Sequence, residues 1–387
     1  MIVVKYNSKC WGTPMKSVTK ETTNVIGAAL FAAAISLPLS QSVFAEAAPE
    51  RGIVSFKYLN YKDSQPDQER VSVNAYTVMG MAPIAGKWSI STTYTNDSVS
   101  GASPEYNSHI VSGASKMKDH REAVDLSITR YFPIGSLTLG SSYSKENDYI
   151  SRSYSAQQSI STEDKNTTFT YGGSYTSDTI NPTVNKDLFY DKRIVSGMIG
   201  LTQVLTKRDI VQLNLGYSRA KGYNSDPYKL FDERPDQRES KTVMTRWNHH
   251  FDGKDGTSRL SYRYYTDTFG INAHTFGIEY VQPLPKEWTV TPLVRFYSQT
   301  AANFYLPGFP DASADLPTYY SLDQRLSAFG AVTIGIKLEK KIAKDWLVDA
   351  KIESYQQRAE WSIAGGGDTG LARFSARSIQ LGLSRNL

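Results

Sequence analysis

The chain has 387 residues, with 25 tyrosines, 12% aromatic residues and a formal net charge of +5. A mean hydropathy of −0.41 excludes a bundle of membrane-spanning helices, and a single cysteine excludes a disulfide-stapled scaffold. It does not exclude a β-barrel, in which only every second strand residue meets lipid.

Residues 1–45 read as a cleavable signal peptide. Lys5, Lys9, Lys16 and Lys20 precede an apolar stretch from Val25 to Leu39, and Val43-Phe44-Ala45 supplies small residues for cleavage before Glu46. Met15 offers an alternative start. A membrane anchor is the competing reading, but Pro38 interrupts a stretch already short of the ~20 residues a helical span needs. Cleavage would remove four lysines, Glu21 and Cys10, leaving a net charge of +2. A nearly neutral mature chain gives no basis for nucleic-acid binding. Without a thiol it has no thiolate metal site or nucleophile.

From residue 46 to 387 the recurring signal is alternation. It runs through Val71-Val73-Ala75, then Trp88-Ile90-Thr92-Tyr94 after the turn Pro83–Gly86, and Val124-Leu126-Ile128 after a long loop from Ser98 to Asp119. The polar stretch Tyr149–Ile160 follows the turn at Pro133–Gly135, and Phe169-Tyr171-Tyr175 comes before a loop from Thr179 to Lys192. Val211-Leu213-Leu215-Tyr217 sits between the turn at Thr206–Asp209 and a loop from Lys221 to Glu239. Phe276-Ile278-Tyr280 lies between turns at Asp252–Gly256 and Pro283–Lys286. In Trp288–Gln299 the set Trp288, Val290, Val294 and Phe296 faces one way. Leu326, Ala328, Gly330, Val332, Ile334, Ile336 and Leu338 do so after a loop from Ala301 to Asp323. Trp346, Val348, Ala350 and Ile352 complete the series between the turn at Lys341–Asp345 and a loop from Ala359 to Gly370. Period two marks half-buried strands. A soluble sandwich would show the same period, but strands of about 10 to 16 residues suit a tilted membrane crossing rather than the usual 5–6.

Short turns alternating with long loops predict a single transmembrane antiparallel up-and-down β-barrel in the outer membrane of a Gram-negative bacterium. Placing both termini on the periplasmic side requires an even strand number. Counting Tyr149–Ile160 as a strand, with Ser161–Asp164 as its turn, gives 16; reading it as a loop gives 14. Gln380-Leu-Gly-Leu-Ser-Arg-Asn-Leu387 resembles the C-terminal signal of the barrel-assembly machinery, with Leu387 in place of the common Phe and Arg385 where an apolar residue is usual.

No enzyme motif is present: there is no G-x-S-x-G, HExxH or phosphate-cradling loop. His249 and His250 are adjacent in a strand and so point to opposite faces. His109 and His120 share one loop that could bind a metal, but no carboxylate spacing supports such a site. No catalytic, cofactor-binding or metal residues are assigned, and no cofactor. The candidate site is the inward wall: Arg259, Arg263, Asp267, Glu279, Arg295, Lys337, Asp349, Lys351 and Glu353. Charges of both signs there would either line a wet channel or pair across and fill it, and mixed sign gives no ion preference. Val99-Ser-Gly-Ala-Ser103 recurs as Val111-Ser-Gly-Ala-Ser115, a repeat most simply read as chance duplication in a low-complexity loop.

Several ordered segments carry a family resemblance. They are Asp97-Ser-Val-Ser-Gly-Ala-Ser-Pro104, Asp164-Lys-Asn-Thr-Thr168, Asp226-Pro-Tyr228, Glu233-Arg-Pro235 with Arg238, and Tyr262-Arg-Tyr-Tyr265 with Asp267. They continue through His274-Thr275, Arg295–Ala302 with Phe304-Tyr305, and Asp323-Gln-Arg-Leu326. From about residue 50 onward the chain resembles the bacterial Domain of Unknown Function 3570 family. The resemblance implies an outer-membrane barrel of unsettled role, encoded near flavin-transferase and thioredoxin-like genes, and offers no catalytic residues.

Three functions follow as expectations. The first is a pore or transport barrel for small polar solutes. The second is a filled barrel that docks a periplasmic or surface redox partner through aromatic loops such as Phe304-Tyr305 and Tyr319-Tyr320. The third and weakest is an outer-membrane hydrolase using Asp97, His109 or His120. Outer-membrane lipid and the barrel-assembly machinery are the other expected partners.

Overall fold

The computed structural model describes residues 47–387 apart from 67, 102–116, 184, 186, 230, 309–314 and 364. The expected signal peptide, His109 and most of the repeated Val-Ser-Gly-Ala-Ser segment lie outside the described residues.

The chain folds as β1 (Ile53–Gln65), β2 (Gln68–Ile84), β3 (Trp88–Gly101), β4 (Met117–Phe132), β5 (Gly135–Lys145) and β6 (Tyr149–Ser161). It continues as β7 (Thr167–Ile180), β8 (Tyr190–Val204), β9 (Asp209–Gly222), β10 (Asp232–Glu233), β11 (Gln237–Phe251) and β12 (Gly256–Asp267). The remaining strands are β13 (Asn272–Leu284), β14 (Trp288–Gln299), β15 (Tyr320–Ser321), β16 (Phe329–Ala343), β17 (Trp346–Arg358) and β18 (Phe374–Asn386). Sixteen of these close into one antiparallel barrel, each pairing with its neighbours and β1 pairing with β18, while β10 and β15 form a separate two-stranded sheet. Tyr149–Ile160 is indeed a strand, pairing with β5 and β7, which settles the number at 16 rather than 14.

The two faces of the sheet are inverted relative to a soluble protein. Val124, Leu126 and Ile128 on β4, Phe276 and Ile278 on β13, Ile334, Ile336 and Leu338 on β16, and Ile379, Leu381 and Leu383 on β18 all stand exposed on the outer surface. The opposite face of β5 to β7 is Ser, Thr, Gly and Gln almost throughout: Ser142, Ser153 and Thr176 lie in one register row, Thr138, Gln157 and Gly172 in another. Such an outer belt is stable only against hydrocarbon, and ring closure leaves no strand edge unpaired there.

At the short-turn end, four tryptophans sit on the outer face with polar partners. The Arg130 guanidinium lies 4.7 Å from the Trp88 ring, Lys340 Nζ 5.1 Å from Trp288 and Arg385 5.2 Å from Trp346. The Trp247 indole donates to Asp209 at 2.9 Å. An apolar ring with a hydrated partner is the chemistry of a membrane–water interface.

Two details differ from the sequence reading. Val71, Val73 and Ala75 do not join the lipid face; they point inward with Leu59 and form a buried cluster, Val73 with 0% exposure. The outward residues of β2 are instead Tyr76 and Val78. Leu326 and Ala328 also leave the lipid face, because β16 starts at Phe329 and both are buried in the preceding loop, Leu326 within a 3₁₀ turn. Val71, Val73 and Ala75 pack against Leu59, Tyr61 and Val99 of the neighbouring strands, and Leu326 packs in the apolar cluster of the long loops, so each is buried away from lipid.

Because facing direction sets the cost, Ile336→Arg should destabilise refolding into lipid vesicles by about 2–4 kcal/mol. Ser174→Arg, on the inner face, should stay close to the parent. Denaturant titration of the two variants checks this.

Candidate functional site: the inner wall and its loop cap

Register places all nine sequence-selected residues on the face opposite the aliphatic belt. Arg259, Arg263 and Asp267 lie on β12, Glu279 on β13, Arg295 on β14, Lys337 on β16, and Asp349, Lys351 and Glu353 on β17. The ion pairs run along the wall, not across the lumen. Lys337 meets Glu339 at 2.8 Å and Lys351 meets Glu353 at 3.0 Å, each two residues along one strand. Arg259 reaches Glu279 on the next strand at 3.7 Å. Lys57 reaches Asp349 at 3.8 Å over the intervening β18. Gly382 makes that reach possible, since a Cβ there would meet the Asp349 carboxylate at 1.9 Å.

The remaining inward charges pair similarly. Arg121 holds Asp97 at 2.7 Å and the side chains of Arg70 and Asp63 approach to 3.9 Å. Arg238 donates to Asp267 through Nε at 2.9 Å and Nη2 at 2.5 Å. Lys192 faces Asp178 in register across β7 and β8. Among the described residues four inward charges have no oppositely charged partner: Asp125, which accepts from Ser142 Oγ at 2.5 Å, and Arg246, Arg263 and Arg295. Asp125, Arg263 and Arg295 are exposed although they face into the barrel. Solvent therefore reaches the wall at mid-height.

The second part of the site closes over the long-loop end, and the sequence reading missed it. The segment between β9 and β11 and the one between β14 and β16 pair as β10 and β15, with Asp232 opposite Ser321. Asp323 lies at their junction with a side chain of 0% exposure. It accepts from Lys229 Nζ at 2.9 Å and Arg234 Nη2 at 2.8 Å, and Arg325 binds both of its oxygens. Arg234 also reaches Asp232 at 2.9 Å and Arg325 reaches Asp226 at 3.3 Å. Burial opposes charge on Asp323, but Arg325, Lys229 and Arg234 together outweigh it and hold the carboxyl well below the usual carboxylate range.

The cap is tied to strand tops around the rim. Gln65 at the end of β1 donates to Gln324 at 3.3 Å, and Gln299 donates to the carbonyls of Arg325 and Ser327 at 3.0 and 2.7 Å. Tyr305 Oη donates to Asp368 at 2.5 Å, and on the far side the Tyr228 hydroxyl bonds Asp148 in the β5–β6 turn. A continuous run of contacts thus crosses the mouth from the β5–β6 turn to β1. Burial raises the Asp148 carboxyl above its ordinary range, and burial with the Asp148 contact pushes the Tyr228 phenol up to about 12. Beneath the cap, Phe269, Ile271, Ala273, Ala302 and Leu326 form an apolar cluster, with Phe304 and Tyr305 packed against it. Of the two aromatic pairs that suggested a docking loop, Phe304-Tyr305 is therefore engaged in the loop's own packing, whereas Tyr319 of the other stands exposed.

Of the residues named for a hydrolase, His109 lies outside the described residues, and the other two are not brought together. Asp97 is inward on β3 and tied to Arg121, whereas His120 lies at the other side of the sheet, 3.1 Å from Asn96. His249 bonds Asp209 at 2.7 Å on the outer face, and His250 contacts Thr257 at 3.2 Å. Among the described residues no group of three or more His, Cys, Asp or Glu could hold a metal ion.

The profile of a family described as "Protein of unknown function (DUF3570)" matches residues 27–190 and 187–378. No curated protein matches the sequence. Among solved structures, the chain is similar to a bacterial polysaccharide outer membrane secretin at 7% identity, covering 86% of this chain and 98% of that one, with a TM-score of 0.50. It is also similar to the siderophore receptor PirA from Pseudomonas aeruginosa at 11% identity over 81% of this chain, with a TM-score of 0.45. It spans only 57% of that receptor's length. OccD3 (OpdP) from the same organism matches at 9% identity over 89% of this chain and 94% of that one, with a TM-score of 0.44. Identities this low speak to the outer-membrane barrel fold alone.

Removing the Asp323 carboxylate leaves the half-buried Lys229, Arg234 and Arg325 facing one another, with Asp232 and Asp226 still beside the two arginines, so Asp323→Ala should cost the cap about 1–3 kcal/mol. The expected readout is new protease cleavage within residues 300–328 while the barrel stays resistant. Because its folded pKa is depressed, the stability from Asp323 is present above the unfolded value of about 3.9 and is lost only as pH falls through the lower folded value. The protection factors of the Asp323 and Arg325 amides, taken relative to the intrinsic base-catalysed rate at each pH, should therefore be insensitive to acidification from pH 7 to about 5.

Proposed function

The chain belongs to the DUF3570 family, whose description carries no activity, and from the barrel itself we propose a passive pore for small polar solutes in the outer membrane of a Gram-negative bacterium. The short-turn end with its tryptophan girdle faces the periplasm, and the long-loop end with the Asp323 cap faces outward. The observation that carries the reading is an inward wall whose charges stay solvent-exposed at mid-height, at Asp125, Arg263 and Arg295, inside a ring of sixteen strands. Barrels of this strand number enclose more volume than their own side chains fill.

Charge pairing along the wall supports the same reading. Pairs between neighbouring strands neutralise charge without obstructing the centre, whereas pairs across the lumen would close it. The cap then sets the entrance. It presents polar and charged groups to arriving solute and leaves the wall beneath it wet.

Reconstituted in a planar bilayer, the protein should give discrete conductance steps, and Asp323→Ala should raise the step size by loosening the cap. Conductance no greater than that of the bare lipid would contradict the pore reading.

A further inference from the structure

We propose that Arg246, Arg263 and Arg295 form a binding step for small anions bearing carboxylate or phosphate oxygens, which makes the lumen anion-preferring. The inference rests on the pore reading for its transport consequence, though the binding site itself stands on the wall's geometry. The inward face carries both signs of charge, but pairing removes most of it: Lys57 with Asp349, Arg121 with Asp97, Arg238 with Asp267, Arg259 with Glu279, Lys337 with Glu339 and Lys351 with Glu353. Among the described residues, what is left uncompensated is three arginines on one wall and Asp125 on another.

Those arginines are neighbours. Arg246 on β11 is opposite Ser261 on β12, Ser261 is opposite Gly277 on β13, and Gly277 is opposite Arg295 on β14. Arg263 stands two residues above Ser261 on β12 and opposite Thr275. At about 4.8 Å per strand and 3.4 Å per residue, the three Cα atoms fall within roughly 14 Å.

The surface between the arginines is low. Gly277 has no side chain, and a Cβ there would meet Ser261 Oγ at 2.6 Å. By register the positions enclosed by the three arginines are Ser261, Gly277 and Thr275, with Met244 and Tyr297 flanking them in the row of Arg263. Each guanidinium presents a planar, permanently charged set of donors matched to carboxylate and phosphate oxygens. Asp125 adds direction. β4 and β13 are eight positions apart in the sixteen-strand ring, so Asp125 faces the arginine wall from the opposite side. A solute with an anionic end would be turned toward β11–β14 as it crosses mid-height. Water competes for the same donors, so binding is weak enough for release, as conduction requires.

The test uses the full-length barrel purified from membranes, the triple variant R246Q/R263Q/R295Q and Asp125→Asn, each first checked for heat-modifiable mobility. Reversal potentials in a potassium chloride gradient should show anion preference in the parent. The triple variant should lose it while still conducting, and Asp125→Asn should keep or increase it. Calorimetric titration with succinate, with inorganic phosphate and with chloride separates carboxylate, phosphate and non-specific anion binding. Loss of charged hydrogen bonds should weaken the preferred oxyanion by roughly tenfold or more per arginine.

A conducting parent with no anion preference, or one whose preference survives the triple substitution, overturns the proposal and leaves the pore reading standing. A parent that does not conduct but binds succinate or phosphate through these arginines removes the pore and keeps the site. Absence of binding in such a non-conducting parent overturns both.

Discussion

The structure depends on one constraint: backbone amides and carbonyls cannot be left unpaired in hydrocarbon. A sheet meets it only by closing on itself, and here β1 pairs with β18 along the full length of both strands to do so. Once closed, the strand period of two assigns every residue a side. Aliphatic side chains such as Ile278 and Ile336 go out, and Arg259, Arg295 and Lys351 go in. The polar lumen is a consequence of closure combined with alternation, not a separate invention.

Charge then divides the interior into two regimes. Along the wall, pairs such as Lys337–Glu339 and Lys351–Glu353 are formed between side chains of one strand, so they cost little ordering and obstruct nothing. At the long-loop end, the pairing is dense and desolvated around Asp323. A buried network of that kind adds less stability than its contacts suggest, because each ion gives up water to enter it. What it specifies is geometry: with Asp323 satisfied by Lys229, Arg234 and Arg325, two long loops have one way to meet. The apolar cluster of Phe269, Ile271 and Leu326 supplies the burial that holds them down.

Much of the barrel was legible from the sequence, and the reason is periodicity. Segments such as Phe276-Ile278-Tyr280 and Trp346–Glu353 carry their facing direction in the residue pattern, and turn residues mark their ends. Even the polar strand Tyr149–Ser161 was recoverable, through the parity that antiparallel closure imposes. Val71, Val73 and Ala75 misled because apolar alternation marks burial of any kind, under lipid or against inward neighbours such as Leu59. The cap was illegible for a related reason. Asp226-Pro-Tyr228, Glu233-Arg-Pro235 and Asp323-Gln-Arg stood out as family-like segments rich in charge, but contact between loops 89 residues apart has no local period to betray it. Nor could the sequence say which inward charges are neutralised. That depends on register, which brings Arg259 to Glu279 and leaves Arg295 beside Gly277.

The most direct test of the central claim is residue-by-residue accessibility along neighbouring positions. Cys10 is the chain's sole cysteine, so single cysteines can be introduced, after Cys10→Ser, at Ile278 and Glu279 on β13 and at Ser153 and Tyr154 on β6. In intact lipid vesicles a charged, lipid-insoluble thiol reagent should label Glu279→Cys and Ser153→Cys and spare Ile278→Cys and Tyr154→Cys. Equal labelling of each adjacent pair, or the reverse pattern, would contradict a closed barrel with lipid outside and water within.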